Sequence, residues 1–212
     1  MNGLLNKTKI QKVMKPAIIF LLIVSAAICY AGETHDTQNC YGYKDSIILS
    51  ISKEVLEIFK NKDYSELTRY FHPEMGVRFS PYAYIDTASD LVFTKSYYKT
   101  YFTKLKPFPF HWGYYDGSGD SIKMPVKKYI ERFVYDVDFL NAEKTTLNTK
   151  SSNGSDLDNL NDIYPGCVYT ESFFSGFDEK YGGMDWRALR LVYKEYEGKF
   201  YLVGIIHDEW TI

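Results

Sequence analysis

Histidine, cysteine and clustered positive charge are what this chain of 212 residues has least of. The histidines His35, His72, His111 and His207 never recur at a zinc-ligand spacing, so neither a metal nor a cofactor is expected. Lysine and arginine are scattered, which leaves no electrostatic footprint for a nucleic acid. No GxSxG elbow and no GxxxxGKS/T loop occurs, so neither an α/β-hydrolase nucleophile nor a phosphate cradle is in view. The string DGSGD sets Asp116, Ser118 and Asp120 at alternate positions, but the twelfth residue from Asp116 is Lys127 where a calcium loop needs glutamate. It reads as a tight glycine turn.

The one long apolar run, residues 17–28, follows Lys7, Lys9, Lys12 and Lys15 with no acid before it. That order describes a secretory signal, the apolar part being too short to span a bilayer as a permanent helix. Cleavage after Ala31 fits small residues at Cys29 and Ala31 and implies a periplasmic or extracellular protein. The alternative makes Cys29 a lipid-modified N-terminus, the one route to membrane attachment. Four of the 25 basic residues and none of the 27 acids lie in the signal, so the mature chain carries 21 against 27, a net charge of −6. Cys40 and Cys167 then remain in an oxidising compartment, either as a disulfide, which needs Cα atoms within about 7 Å, or as two separate thiols.

What the chain has in abundance is aromatic surface: 20 Tyr, 14 Phe and 3 Trp. Residues 32–44 read as a flexible lead and 45–212 as one α+β domain, long enough to build a core. Apolar spacing of three and four over DSIILSISKEVLEIFKNKD predicts a helix capped near Asp45 or Ser46, and YSELTRYF predicts a short second one, with His72 beyond it as a helix C-cap. GVRFSPYAYID alternates as a strand interrupted at Pro81, and residues 94–102 form a further helix. PFPFHWGYYDGSGDSIKMP reads as strand, loop and strand, and Pro125 opens a helix with Tyr129, Ile130 and Phe133 on one side. Residues 144–162 read as a polar loop, before the β-rich CVYTESFFSG.

The chain closes on two strands, residues 186–196 and 199–210, around the hairpin signal Glu197-Gly198. A two-residue loop pairs Arg187 with Asp208, Asp185 with Trp210, Leu189 with Ile206 and Tyr193 with Leu202, all on one face. The expected ligand site is therefore a rim of Asp185, Arg187, Asp208 and Trp210, joined by Trp112 and Tyr114 from the aromatic run. An Arg187–Asp208 pair that only locks the sheet is the plainer reading of the same residues. The opposite face, with Trp186, Arg190, Val192, Val203, Ile205, His207 and Glu209, suits a homodimer interface, a covering segment or a half-solvated surface.

This order of helices, strand, helices and closing hairpin resembles the nuclear transport factor 2-like superfamily, which includes ketosteroid isomerase, scytalone dehydratase and SnoaL-like proteins. The strings HPEMGVRFSPYAYID, WGYYDGSGDSI, GMDWRALRLVY and YLVGIIHDEWTI are similar to an uncharacterised group of exported bacterial proteins. The resemblance implies N-terminal helices packed on a strongly curved, mixed, mostly antiparallel sheet, making a cone with a pocket at its open end. The isomerase's Asp base with Tyr and acid donors has no counterpart in this chain residue by residue. The expected function is a non-catalytic module that binds a small apolar or amphipathic ligand or a partner protein, with a small acid/base enzyme of isomerase or hydratase type as the alternative. Intact-mass analysis of the exported protein should find Gly32 first, and a diacylglycerol-modified Cys29 would show the lipoprotein route instead.

Overall fold

The computed structural model describes residues 36–102, 107–151 and 157–211, with side chains from Gly42 onward. The signal segment lies outside these residues. Among them, no helix is long and apolar enough to cross a membrane. Lys44–Ile212 forms one compact unit.

The first helix, α1, runs over Asp36–Asn61, so helix replaces part of the expected flexible lead and no cap falls at Asp45 or Ser46. From Ile48 its apolar stripe of Val55, Leu56 and Phe59 is buried, as residues three and four apart on one helix face should be. A 3₁₀ turn, Tyr64–Arg69, follows. His72 lies beyond it and caps a turn in place of a helix, its Nδ1 accepting the amide hydrogens of Glu74 at 3.2 Å and Met75 at 3.1 Å. Strand β1 (Val77–Ser80) stops at Pro81, which has no amide hydrogen to give a ladder. The short β2 (Leu91–Phe93) returns beside it, and helix α2 (Lys95–Phe102) follows. Strands β3 (Phe110–Tyr114) and β4 (Ser121–Met124) pair as a separate hairpin around the glycine turn, and α3 (Val126–Phe133) starts just after Pro125.

The polar stretch predicted as loop contains β5 (Lys144–Leu147) and a one-turn helix α4 (Leu160–Ile163). Its four-residue edge strand reads Lys-Thr-Thr-Leu, too short and too polar to leave an apolar period. Strands β6 (Val168–Phe174), β7 (Arg187–Tyr196) and β8 (Lys199–Glu209) complete a six-stranded sheet in the order β2-β1-β8-β7-β6-β5. All pairings are antiparallel except β1 with β8, where Phe79 faces Ile205. The architecture is thus α+β on a mixed sheet. Among the described residues its edge strands are β2 and β5, and the sheet is not strongly curled, which departs from the expected curvature.

The turn at Glu197 (φ 50°) and Gly198 (φ 74°) has two residues as predicted. The pairing that follows from it, Tyr193 opposite Leu202, holds for the first four pairs only. Val192 then faces Gly204, so Val203 is an extra residue, a β-bulge that shifts every later pair by one. Arg187 consequently faces Glu209, and Ala188 takes the place opposite Asp208. The bulge is held in place: the Tyr164 hydroxyl donates to the Val203 carbonyl at 3.2 Å, and its ring lies where a Cβ on Gly204 would come within 3.3 Å.

The bulge sorts β7 and β8 between two cores. Leu189, Leu191, Tyr193 and Ile205 join the main core under α1 and α3, with Phe79, Phe93, Trp112, Tyr129 and Phe133. Val192, Val203 and Ile206 pack under Ile85, Leu160 and Tyr164 on the other side. The face that looked half-solvated is therefore taken by a covering segment. Leu191→Ala should cost about 2–5 kcal/mol in urea unfolding, as a buried aliphatic truncation does; a cost under about 1 kcal/mol would place Leu191 outside the main core.

Candidate functional site

Three segments meet around a cavity of 730 Å³ in the Lys44–Ile212 unit: the chain after β1, the β3–β4 hairpin and the end of β8. Polar bonds lace them together. The Asp116 amide donates to the Tyr82 hydroxyl at 3.2 Å, and the Thr211 hydroxyl donates to Asp116 Oδ2 at 2.5 Å. The hairpin turn closes with Tyr115 N on Asp120 O at 2.8 Å. Within β3, Gly113 takes φ +102° at an irregularity in the pairing with β4, a backbone only glycine adopts freely. Next to it, Trp112 is immobilised: its ring stacks on Tyr129 at 3.8 Å and its indole N–H donates to Met124 O at 2.7 Å.

Seven aromatic side chains line the cavity, including Trp112, Trp186 and Trp210, which are all the tryptophans of the chain. Five carboxylates join them, Asp86, Asp90, Asp116, Asp208 and Glu209, and no Lys, Arg or His is among the described lining residues. Tyr84, Tyr114 and Trp210 are exposed at the mouth, while Trp112, Asp90 and Asp208 are buried.

Of the expected rim, Trp112, Tyr114, Asp208 and Trp210 line this cavity and Asp185 and Arg187 do not. Asp185 organises a turn, its Oδ2 accepting the amides of Phe177 at 3.0 Å and Asp178 at 2.9 Å. Arg187 and Asp208 form no pair, because the bulge sends them to opposite faces. Arg187 instead reaches Asp136 at 2.9 Å and Glu209 at 3.2 Å. Asp208 meets Arg190 at 3.2 Å, and that guanidinium, buried to 1% exposure, also holds Glu171 at 2.7 Å and Asp158 at 2.8 Å.

Behind the cavity, Asp136, His207 and Glu209 each bring one metal-capable atom within 4.8 Å of the others, a group that chain separation hid from the sequence. Arg187 bridges its two carboxylates, and Arg132 grips Glu209 with contacts of 2.7 and 3.3 Å. With both acids matched by a guanidinium, a divalent ion would add unbalanced charge to a buried site. His207 Nδ1 lies 3.2 Å from Pro81 O, and its Nε2 lies 3.3 Å from Asp136 Oδ1 without hydrogen-bond alignment. Burial pushes the Asp136 carboxyl up, and the His207 ring and Arg187 outweigh it and hold the carboxyl below its usual range. Cys167 is a free, half-buried thiol, as in the separate-thiol alternative, and the side chain of Cys40 lies outside the described residues; packing beside the Tyr164 cluster raises the Cys167 pKa through burial.

The residues the sequence reading missed lie in the stretch SPYAYIDTASD. Asp86 caps its own turn, accepting Ala88 N at 2.9 Å and the Ser89 hydroxyl at 2.6 Å. Asp90 is 8% exposed. Its Oδ2 accepts the Ser80 hydroxyl and the Asp86 amide, and its Oδ1 accepts nothing. Burial, against the opposing pull of Ser80 and Arg78, pushes Asp90 up to about 7. Asp208 is likewise raised, to about 6, by burial that Arg190 only partly offsets. The available signal was the alternation of Tyr82 and Tyr84 leading into two aspartates four apart.

Asp90 titrates at its ordinary 3.8 when unfolded and at about 7 when folded. Between those values the folded chain keeps a proton the unfolded chain has lost. That contribution is fully present below the unfolded value and disappears as pH rises through the folded one. Asp90→Asn keeps an acceptor for Ser80 and removes the buried charge. The variant should be more stable than wild type at about pH 8, by at most about 4 kcal/mol, with the gap closing toward about pH 4. Denaturant unfolding across that range checks it, and a gap independent of pH would refute it. No protein-family model, no curated protein and no solved structure matches the chain.

Proposed function

We propose that this chain is an exported, non-catalytic module that binds one small amphipathic ligand in the cavity between the chain after β1, the β3–β4 hairpin and the end of β8. The observation that carries the reading is the gathering of every tryptophan of the chain on one 730 Å³ cavity, beside exposed Tyr84 and Tyr114. Concave aromatic surface of that size with a few polar groups is the usual form of a small-molecule site. The wall groups also favour binding over chemistry. Asp208 and Glu209 are tied to arginines, and His207, the one buried histidine nearby, bonds to the chain at Pro81 and does not line the cavity. Among the described residues, no histidine lines the space.

The nuclear transport factor 2-like resemblance is part of the proposal. Helix before sheet, a mixed sheet with one parallel pair and a closing hairpin support it. A second reading, a small acid/base enzyme, is favoured by one observation: a carboxyl held at about 7 in an aromatic cavity suits proton transfer at neutral pH.

Native mass spectrometry of protein taken from its own envelope should show a retained small molecule, and Trp210→Ala should lose it without unfolding. An empty cavity in that material, with tryptophan emission unmoved by any soluble aromatic compound, would overturn the binding reading. Conversion of the retained molecule on incubation would favour the enzyme.

A further inference from the structure

The strongest unexplained feature of the cavity is its charge. Two of its five carboxylates are neutralised from behind, Glu209 by Arg132 and Arg187 and Asp208 by Arg190. The other three, Asp86, Asp90 and Asp116, have hydrogen-bond donors and, among the described residues, no cationic partner within salt-bridge distance. Arg78, the nearest candidate, gives its Nη1 to the Asp90 backbone carbonyl at 3.1 Å, not to the carboxylate.

Asp90 is the informative one of the three. It is more than nine-tenths buried and lines the cavity, both of its hydrogen bonds fall on Oδ2, and Oδ1 is left without a partner. A carboxyl group more than nine-tenths buried, bordering a space lined by aromatic rings and without a salt bridge among the described residues, would be balanced by a positive charge held in that space. Aromatic faces supply the second half of such a site, because the ring quadrupole attracts ammonium ions held over it. Trp112, Trp186 and Trp210 border the same space.

We infer that the cavity selects an organic cation, an ammonium group on an apolar body, with the charge against Asp90 and the body between the tryptophans. This rests on the cavity being a ligand site at all. Burial holds the Asp90 carboxyl up at about 7 against the pull of Ser80 and Arg78, and an ammonium bound beside it would favour its charged form. Selectivity follows from the same chemistry: a neutral isostere gains the ring contacts and leaves the carboxylate unmatched, and an anion is repelled by all three free acids.

Benzylamine, benzyltrimethylammonium, benzyl alcohol and benzoate, titrated at about pH 8 against tryptophan emission and thermal midpoint, separate the cases, since every tryptophan reports on the cavity. Both cations should bind at least about tenfold more tightly than benzyl alcohol, and benzoate should not bind. Asp90→Asn should remove that cation preference and leave benzyl alcohol unchanged. Trp210→Ala, altered at an exposed rim position, should weaken all three binders and serves if the Asp90 variant does not fold. Equal affinity for cation and alcohol, or a cation preference that survives Asp90→Asn, would overturn the cation assignment and leave the pocket standing. No response to any of the four would overturn both.

Discussion

One extra residue, Val203, decides how charge is distributed in this protein. Before the bulge, β7 and β8 pair as a two-residue turn dictates; beyond it, every partner is displaced by one and every β8 side chain changes face relative to the simple count. A bulge leaves a residue off the ladder, and this one is stabilised by a hydroxyl from outside the sheet, Tyr164, whose ring needs the bare backbone of Gly204 to approach. Tyr164 sits at the end of the single-turn helix α4. A short and unremarkable segment therefore governs the register of the central strands.

The consequence is two separate ionic clusters where one cross-strand pair was expected. On the α3 side, Arg187 and Arg132 enclose Asp136 and Glu209 beside His207. On the other, Arg190 is buried among Glu171, Asp158 and Asp208. Each guanidinium has enough donors to serve several carboxylates, which is what makes buried ions of this kind tolerable. Asp158 belongs to a stretch that looked like expendable loop, and its ion pair with Arg190 ties it to the core. Both clusters back onto the same cavity through Asp208 and Glu209 and neutralise its rear wall, so its residual negative charge sits on Asp86, Asp90 and Asp116.

Much of the chain was legible because the signals were local. The long helix, the helix after Pro125, the β3–β4 hairpin around DGSGD and the turn at Glu197-Gly198 each follow from periodicity or turn chemistry contained within a few residues. Of the expected rim, Asp208 and Trp210 line the cavity for a similar reason, because apolar alternation gives way to charge and tryptophan at the far end of the last strand and such ends border open space, and Trp112 and Tyr114 join them from the aromatic run of β3. Asp90 escaped notice because its one local mark, the Tyr82 and Tyr84 alternation before two aspartates, does not show that it is buried. Its burial comes from β1 and the hairpin folding over it.

By itself, the sequence determined most of the helices and strands, that the last two strands pair through a two-residue turn, and that much of the core and pocket surface would be aromatic. Those outcomes depend on propensity and on contacts between near neighbours in the chain. Tertiary structure alone decided that Arg187 meets Asp136 and Glu209, that Arg190 meets Asp208, that Cys167 is a free thiol, and that Asp90 is buried in the wall of a cavity. Register beyond a bulge depends on what packs against the extra residue, and that group, the Tyr164 hydroxyl, lies 39 residues away along the chain.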